Sequence, residues 1–292
     1  MQVIIDRNAG VCPGVDRAIH IIENVLQENR SLTALGPIIH NRYEIDRLQQ
    51  LGMKTREQSI LERNDGFEPL RKEKLFIRTH GVPKRYYEKF EAEHLHVIDG
   101  TCPIVRRLQK RVERYYENGY QIIIVGKAKH PEVIGLLGHC DDRGIVILDE
   151  SDFDKIDLNK KSVLISQTTI SQQKFFDIKE KLSPLMNDLE IVDTTCKHIN
   201  KRHDHLMEFS KNVDVVLVVG GKTSSNTGVL YGICSQANPR SYRIESAGEI
   251  RRNWFHEEDI VGITGGASTP HWQLELVREY LQKYSPLRGY NK

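Results

Sequence analysis

Three cysteines occupy repeated positions in the chain and could together hold a metal centre. Cys102 follows Cys12 by 90 residues, and Cys196 follows Cys102 by 94 residues. Each cysteine comes after an apolar segment that ends in aspartate, and each precedes a helical pattern. A thiol at the start of a helix readily loses its proton, because the helix dipole and the free backbone N–H groups favour the thiolate. Three thiolates suit an iron–sulfur cluster or a cysteine-rich zinc site.

The long intervals between these cysteines favour a cluster over zinc. Iron–sulfur clusters usually take four cysteine ligands, so three ligands would leave one iron open to a substrate. A structural zinc ion needs a closed fourth ligand, normally close in sequence to another ligand, and the chain has no CxxC motif. Zinc and the absence of any metal remain as alternatives. Cys140 and Cys234 share a repeat position, but the equivalent residue in the first part of the chain is Gln50. We therefore interpret these two cysteines as core thiols.

The repeat extends beyond the cysteines and divides the chain into three similar parts. Ile122–Cys140 aligns without a gap with Val216–Cys234. In each part a strand pattern leads through a glycine turn to a polar residue that opens a helix, and a further strand pattern ends in another polar residue. The first set of polar residues is His40, His130 and Ser224, and the second set is His80, Thr168 and Ser268.

Alternating strands and helices in every part predict an α/β fold of three small α/β domains. The predicted domains are residues 1–100, 101–193 and 194–292. Ligands of open α/β sheets bind at the carboxyl ends of strands, where all of the repeated polar residues are expected. If the domains surround a pseudo-threefold axis, the three cysteines meet at one point with both polar sets around them.

The polar residues near the predicted cluster suit an anion and a proton transfer. The segment Thr223–Thr227 offers hydroxyls, an amide and a helix N-terminus, which together make a phosphate cradle. The alternative is that Ser224 or Ser225 only caps the helix. Glu132 is the only carboxylate at the repeated positions, and its natural role there is proton transfer, although it could instead stabilise the helix dipole. Thr168 could relay a proton or hold a substrate hydroxyl.

The composition of the chain excludes several classes of protein. The 292 residues include 42 Lys plus Arg and 40 Asp plus Glu, and the resulting net charge of +2 argues against a nucleic-acid binder that depends on bulk positive charge. No apolar run approaches the roughly 18 residues of a membrane span, and the start of the chain has no pattern of a secretory signal. We therefore expect neither a nucleic-acid partner nor a membrane, with the cytoplasm as the default location.

Eight motifs, in order along nearly the whole chain, resemble the 4-hydroxy-3-methylbut-2-enyl diphosphate reductase family of the non-mevalonate isoprenoid route. The motifs are Gly10–Ala18, Ile39–Tyr43, Thr79–Val82, Asp99–Pro103, His130–Val133, Gln167–Thr169, Ser224–Asn226 and Gly266–Pro270. The resemblance implies a trefoil of three α/β domains around a 4Fe–4S cluster with one open iron. Cys12, Cys102 and Cys196 would be its ligands.

The resemblance also implies a reaction and roles for the polar residues. Residues that would hold the diphosphate are His40, His80, Ser224, Ser225, Asn226 and Ser268. His130, Glu132 and Thr168 would surround the hydroxyl carbon of the substrate. The implied reaction is a two-electron reductive dehydroxylation to isopentenyl or dimethylallyl diphosphate, in which the open iron acts as a Lewis acid and Glu132 delivers protons. Electrons would come from a ferredoxin or a flavodoxin-type carrier.

One segment departs from the pattern of this family. In Lys197–His203 only Arg202 clearly matches, and Ile199 stands where a threonine would support the diphosphate end. The leading alternative is a paralogue that uses the same cluster on another anionic substrate. A non-catalytic, cluster-bearing sensor or binding protein would not need Glu132, and a zinc-stabilised structural protein would need no phosphate cradle.

Overall fold

The computed structural model describes residues 1–29, 31–63 and 67–284, which form two compact units. One unit consists of Arg17–Ile38 and Leu48–Lys197, and it contains two parallel four-stranded sheets. The other consists of Met1–Asp16, Ile39–Arg47 and the chain from His198 onward, and it contains a third parallel four-stranded sheet. The predicted α/β class is therefore confirmed, with one parallel sheet for each part of the repeat.

The elements alternate along the chain as the sequence predicts. The strands are β1 (Gln2–Ile5), β2 (Leu32–Leu35), β3 (Met53–Arg56), β4 (Leu75–Ile77), β5 (Val97–Asp99), β6 (Gln121–Val125), β7 (Ile145–Ile147), β8 (Ser162–Ser166), β9 (Leu189–Ile191), β10 (Val215–Val219), β11 (Ser241–Ile244) and β12 (Ile260–Gly265). The α-helices are α1 (Pro13–Asn29), α2 (Arg42–Gln50), α3 (Lys84–Ala92), α4 (Pro103–Glu117), α5 (Pro131–Leu137), α6 (Gln172–Leu182), α7 (Lys197–Lys211), α8 (Ser225–Ala237) and α9 (His271–Tyr284). Within the described residues, none of these helices combines the length and the apolar character that a membrane span requires.

The three sheets share one strand order, which is the structural form of the repeat. The orders are β3-β2-β4-β5, β7-β6-β8-β9 and β11-β10-β12-β1. The first strand of the chain fills the last position of the third sheet, since β1 pairs with β12 in a register that matches Gln2 with Ile260 and Ile5 with Ile263. The division of the chain at residues 100 and 193 stays a prediction. The pairing of β1 with β12 shows in addition that the first strand of the chain belongs to the sheet of the last third.

The central strands are mostly apolar because both faces of their sheets are covered. In β10, Val215, Leu217 and Val219 pack into one core, and Val216 and Val218 pack into another. Strand β6 alternates between two cores in the same way. This period of two follows from the pleat of a strand. Strands anchored on both faces give the loops at their carboxyl ends a rigid base.

Candidate active site

An aspartate at the end of a strand shapes the turn before each of the three repeated cysteines. Its carboxylate accepts a hydrogen bond from the backbone N–H two residues further on, which is the geometry of an Asx turn. These bonds join Asp6 to Asn8, Asp99 to Thr101 and Asp193 to Thr195, each at 2.9 Å. The aspartates of the sequence repeat therefore stabilise the same local backbone turn before each of the three cysteines.

The backbone of each repeated cysteine is tied to the adjacent strand of its own sheet. The cysteine N–H donates to the carbonyl of the second residue after that strand. The bonds join Cys12 to Ala267 at 3.1 Å, Cys102 to Thr79 at 3.0 Å and Cys196 to Thr168 at 2.8 Å. Each cysteine directly precedes the first residue of a helix, namely α1, α4 or α7. The prediction that the three thiols lie at helix N-termini is confirmed.

Cys140 and Cys234 have a different environment from the repeated cysteines. Both are fully buried in hydrophobic cores. Burial raises the pKa of each of these thiols to about 11. A thiol that stays protonated at neutral pH is a poor metal ligand. Their interpretation as core thiols is confirmed.

A second repeated turn begins with a glycine directly after each of the strands β2, β6 and β10. Its N–H donates to the carbonyl of the last residue of the neighbouring strand. The bonds join Gly36 to Arg56 at 2.7 Å, Gly126 to Ile147 at 2.9 Å and Gly220 to Ile244 at 2.9 Å. Each turn leads, four residues further on, to His40, His130 or Ser224. The sequence-predicted polar set thus follows three turns of the same construction.

Glu132 and Thr168 form a buried pair in the larger unit. The side chain of Glu132 is 1% exposed. One of its carboxylate oxygens accepts a bond of 2.6 Å from the Thr168 N–H, and the other accepts a bond of 2.7 Å from the Thr168 hydroxyl. Burial raises the pKa of Glu132 to about 7, although the bonds from Thr168 oppose that change. A carboxyl group with this pKa can both hold and release a proton at neutral pH.

Two histidines extend this pair toward Cys102. His130 caps α5, where its Nδ1 accepts a bond of 3.2 Å from the Glu132 N–H. The ring of His80 meets the ring of His130 edge to face, with 5.2 Å between the centroids. Contacts therefore run without a break through the larger unit. Their order is Cys102, Thr79, His80, His130, Glu132, Thr168 and Cys196.

The smaller unit contains Cys12 and a cavity of about 420 Å³ next to it. Asn226, His198, Lys201 and Arg202 contribute to the lining of this cavity. The Nδ2 of Asn226 is buried and has no hydrogen-bond partner among the described residues. A buried amide donor without a partner is costly, and an anionic oxygen in the cavity would satisfy it.

The other predicted anion-binding residues of the smaller unit lie close to the same turns. Ser224 caps α8 by accepting a bond of 3.2 Å from the Thr227 N–H, so the capping role is confirmed. The side chain of Ser225 lies outside the described part of the structure. His40 is half-buried, and its carbonyl oxygen would lie 2.4 Å from a Cβ at Gly221, so only glycine fits that turn. Ser268 is half-buried and follows Ala267, the partner of the Cys12 N–H.

Arg202 has a positioning role that the sequence alone did not reveal. Its guanidinium is buried and donates to the carbonyl of Gly10 at 2.9 Å and to the carbonyl of Gly265. It therefore joins the loop before Cys12 to the end of β12. The available signal was helical periodicity, because Arg202 lies on the apolar face of α7 with Ile199 and Leu206.

Comparison with known proteins gives the same family from sequence and from structure. The family model described as LytB protein matches residues 3–282. A relative from Caldanaerobacter subterraneus, named 4-hydroxy-3-methylbut-2-enyl diphosphate reductase, is 38% identical over 99% of this chain and 98% of its own length. A relative of the same name from Chloroherpeton thalassium is 36% identical over 97% of this chain and 96% of its own length.

Two solved structures have the same architecture. A structure of (E)-4-hydroxy-3-methyl-but-2-enyl diphosphate reductase, described as the terminal enzyme of the non-mevalonate pathway, is 34% identical with a TM-score of 0.72, and the match covers 97% of this chain and all (100%) of that chain. A reductase from Plasmodium falciparum, 23% identical, matches the fold with a TM-score of 0.85 over 98% of this chain and 89% of that chain. The family model, the relatives and the shared fold together show that the chain belongs to the LytB protein family.

Proposed function

We propose that this protein is a 4-hydroxy-3-methylbut-2-enyl diphosphate reductase. In this reaction the substrate takes up two electrons and two protons, its C–O bond to the hydroxyl breaks, and water leaves with isopentenyl or dimethylallyl diphosphate as product. The observation that carries the proposal is the buried Glu132, which is bonded through Thr168 to the turn of Cys196. This arrangement puts a proton source at neutral pH beside a proposed cluster ligand.

The three repeated cysteines fit the iron–sulfur cluster that this function needs. Cys12, Cys102 and Cys196 form no disulfide bond within the described structure, and they precede helices α1, α4 and α7 in turns of one construction. Such thiols are suited to bind iron as thiolates. When bound, a 4Fe–4S cluster with one open iron supplies electrons and a Lewis acid for the substrate hydroxyl.

Glu132 would deliver the protons of the reaction, with Thr168 holding its carboxylate in position. Thr168 donates one bond to each carboxylate oxygen and so fixes the orientation of the carboxylate, and each oxygen keeps a lone pair that can take up a proton. His130, whose Nδ1 accepts a hydrogen bond from the Glu132 N–H, would also lie beside the substrate hydroxyl.

The diphosphate would be bound by the hydroxyls, amide and imidazoles of the two polar sets. These residues are His40, His80, Ser224, Ser225, Asn226 and Ser268. Support comes from the unpartnered amide of Asn226 and from the N-terminus of α8 beside it, since backbone N–H groups at a helix start favour anions.

A paralogue with another anionic substrate is the second candidate, and one observation favours it. His198 and Lys201 of the divergent segment line the cavity that also contains Cys12 and Asn226. Lys201 adds positive charge to this cavity, and His198 offers an imidazole. A substrate with more negative charge or a different shape would use them.

Anaerobic purification followed by spectroscopy and turnover tests the proposal. We expect the absorption and electron paramagnetic resonance of a 4Fe–4S cluster, and conversion of 4-hydroxy-3-methylbut-2-enyl diphosphate with reduced methyl viologen as the electron source. A protein without a cluster spectrum would contradict the proposed cofactor. A cluster without turnover of this substrate would favour the paralogue.

We further propose a cytoplasmic location and a ferredoxin or flavodoxin-type protein as the electron donor.

A further inference from the structure

Helix α4 exposes four basic side chains along one face. Arg107, Lys110, Arg111 and Arg114 follow the helical spacing i, i+3, i+4, i+7 and are all exposed. We call these four residues the α4 stripe. The buried residues of the helix have the same spacing, two positions earlier, and therefore lie on the opposite face. They are Val105, Leu108, Gln109 and Val112.

The α4 stripe concentrates positive charge that the helix does not neutralise. The helix has five basic and two acidic residues, a net charge of +3, whereas the whole chain has a net charge of +2. Arg106 pairs with Asp99, and Glu113 pairs with Lys84. Within the described parts of the chain, no side chain of the α4 stripe takes part in an ion pair.

The stability of the helix does not explain this arrangement. Like charges three or four residues apart repel each other on a helix surface, and the α4 stripe contains four such pairs. The helix dipole favours only Arg114, which lies in the last turn of α4. A partner surface with negative charge would turn this repulsion into attraction.

The α4 stripe begins close to a proposed cluster ligand. Cys102 is the N-cap of α4, and Arg107 follows it by five residues, which is about 8 Å along the axis at 1.5 Å per residue. Arg114 lies about 18 Å along the same axis. A protein bound on this face would be held next to the helix that leads to Cys102.

We propose that the α4 stripe is the docking surface for an acidic one-electron carrier protein of the flavodoxin or ferredoxin class. This inference rests on the proposed function. Each turnover consumes two electrons, so two reduced carriers are oxidised in turn while the substrate gains two protons and loses water. A small acidic protein fits a narrow stripe of four cations, whereas the weak net charge of the chain gives little attraction for nucleic acid elsewhere.

The test compares charge reversal in the α4 stripe with the same charge reversal elsewhere. The stripe variant is R107E/K110E/R111E/R114E. The matched control is K54E/K72E/K211E/R252E, whose four basic side chains are also exposed and, among the described residues, also outside any ion pair. Turnover is measured with reduced methyl viologen and with a reduced flavodoxin of net negative charge. Binding of the oxidised flavodoxin is measured at low and high salt.

We expect the stripe variant to lose at least tenfold in flavodoxin-dependent kcat/KM and in flavodoxin affinity at low salt, since electrostatic steering contributes 10- to 1,000-fold to association rates. Its turnover with methyl viologen should stay equal to that of the wild type, and the control should change less than threefold in every assay. The loss should shrink at high salt, where charges are screened.

Equal flavodoxin binding by the stripe variant and the wild type would overturn the proposal. An equal loss in the control variant would also overturn it. The same holds if the stripe variant binds flavodoxin as the wild type does but loses binding to duplex DNA or to anionic phospholipid vesicles. If the wild type fails to turn over with methyl viologen, the proposed function fails, while the flavodoxin binding comparison still decides the docking surface. Should the fourfold variant not fold, the pairs R107E/R111E and K110E/R114E give the same comparison.

Discussion

Replacement of Glu132 by glutamine separates the chemistry of this residue from its shape. Glutamine has nearly the size of glutamate, and its amide oxygen can still accept the N–H bond of Thr168, which is 2.6 Å long in the wild type. Its amide NH2 can donate to the Thr168 hydroxyl, which rotates to accept. The turn of Cys196 should therefore keep its geometry. The variant loses only the ability to give and take a proton.

The expected loss of activity follows from the role of a positioned general acid. Such a group contributes about 100- to 10,000-fold to a rate, which corresponds to about 3 to 5 kcal/mol of barrier. The protonated form is the active form, so wild-type kcat/KM should fall as pH rises above about 7, the pKa to which burial raises Glu132 in the unliganded protein. The residual activity of Glu132→Gln should not show this fall.

The same substitution should change how stability depends on pH. Below pH 4.5 the carboxyl group is protonated in both the folded and the unfolded state, whereas burial raises its folded pKa from 4.5 to about 7. The wild type therefore loses stability as pH rises through that window, by about 3 kcal/mol at 1.36 kcal/mol per pKa unit. Glutamine has no such loss, so the variant should gain stability relative to the wild type as pH rises.

Three measurements on Glu132→Gln test this reasoning. They are the cluster spectrum, single-turnover reduction of the diphosphate substrate, and chemical unfolding between roughly pH 4 and pH 9, a range that contains the whole window from pH 4.5 to about 7. Glu180→Gln on the exposed face of α6 is the control. Turnover within threefold of the wild type would remove Glu132 from proton delivery. A stability difference that is independent of pH would refute the environment assigned to it.

Three further outcomes follow from the structure. Cys196→Ser should lose the cluster absorption and iron content, whereas Cys140→Ser, in a hydrophobic core, should keep both. Asn226→Ala should raise the KM for the diphosphate substrate about tenfold, the value of roughly one hydrogen bond to a charged group, without a change in the cluster spectrum; an unchanged KM would exclude this contact. Arg202→Met leaves two buried carbonyls without donors and should lower the free energy of unfolding by about 2 kcal/mol or more in chemical denaturation, and a smaller loss would mean that water replaces the guanidinium.

The sequence by itself determined the parts of this protein that depend on neighbouring residues. The turn of Asp99 and Thr101 spans only two residues, and a helix begins directly after Cys102, so both are visible as a repeated motif. The uninterrupted apolar run of β10 is also a local feature. Together with the resemblance of its motifs, they predicted the α/β class, the division into three similar parts and the family.

Only the tertiary structure decided what joins distant parts of the chain. The partner of β1 is β12 at the other end of the sequence, because the last sheet needs a fourth strand and the chain supplies it from its start. Glu132 reaches Thr168 across 36 residues, and Arg202 reaches Gly10 across 192 residues. A local pattern cannot encode such pairs, because the partners meet only when distant segments of the chain pack together, and each buried polar group then needs a hydrogen bond from the other.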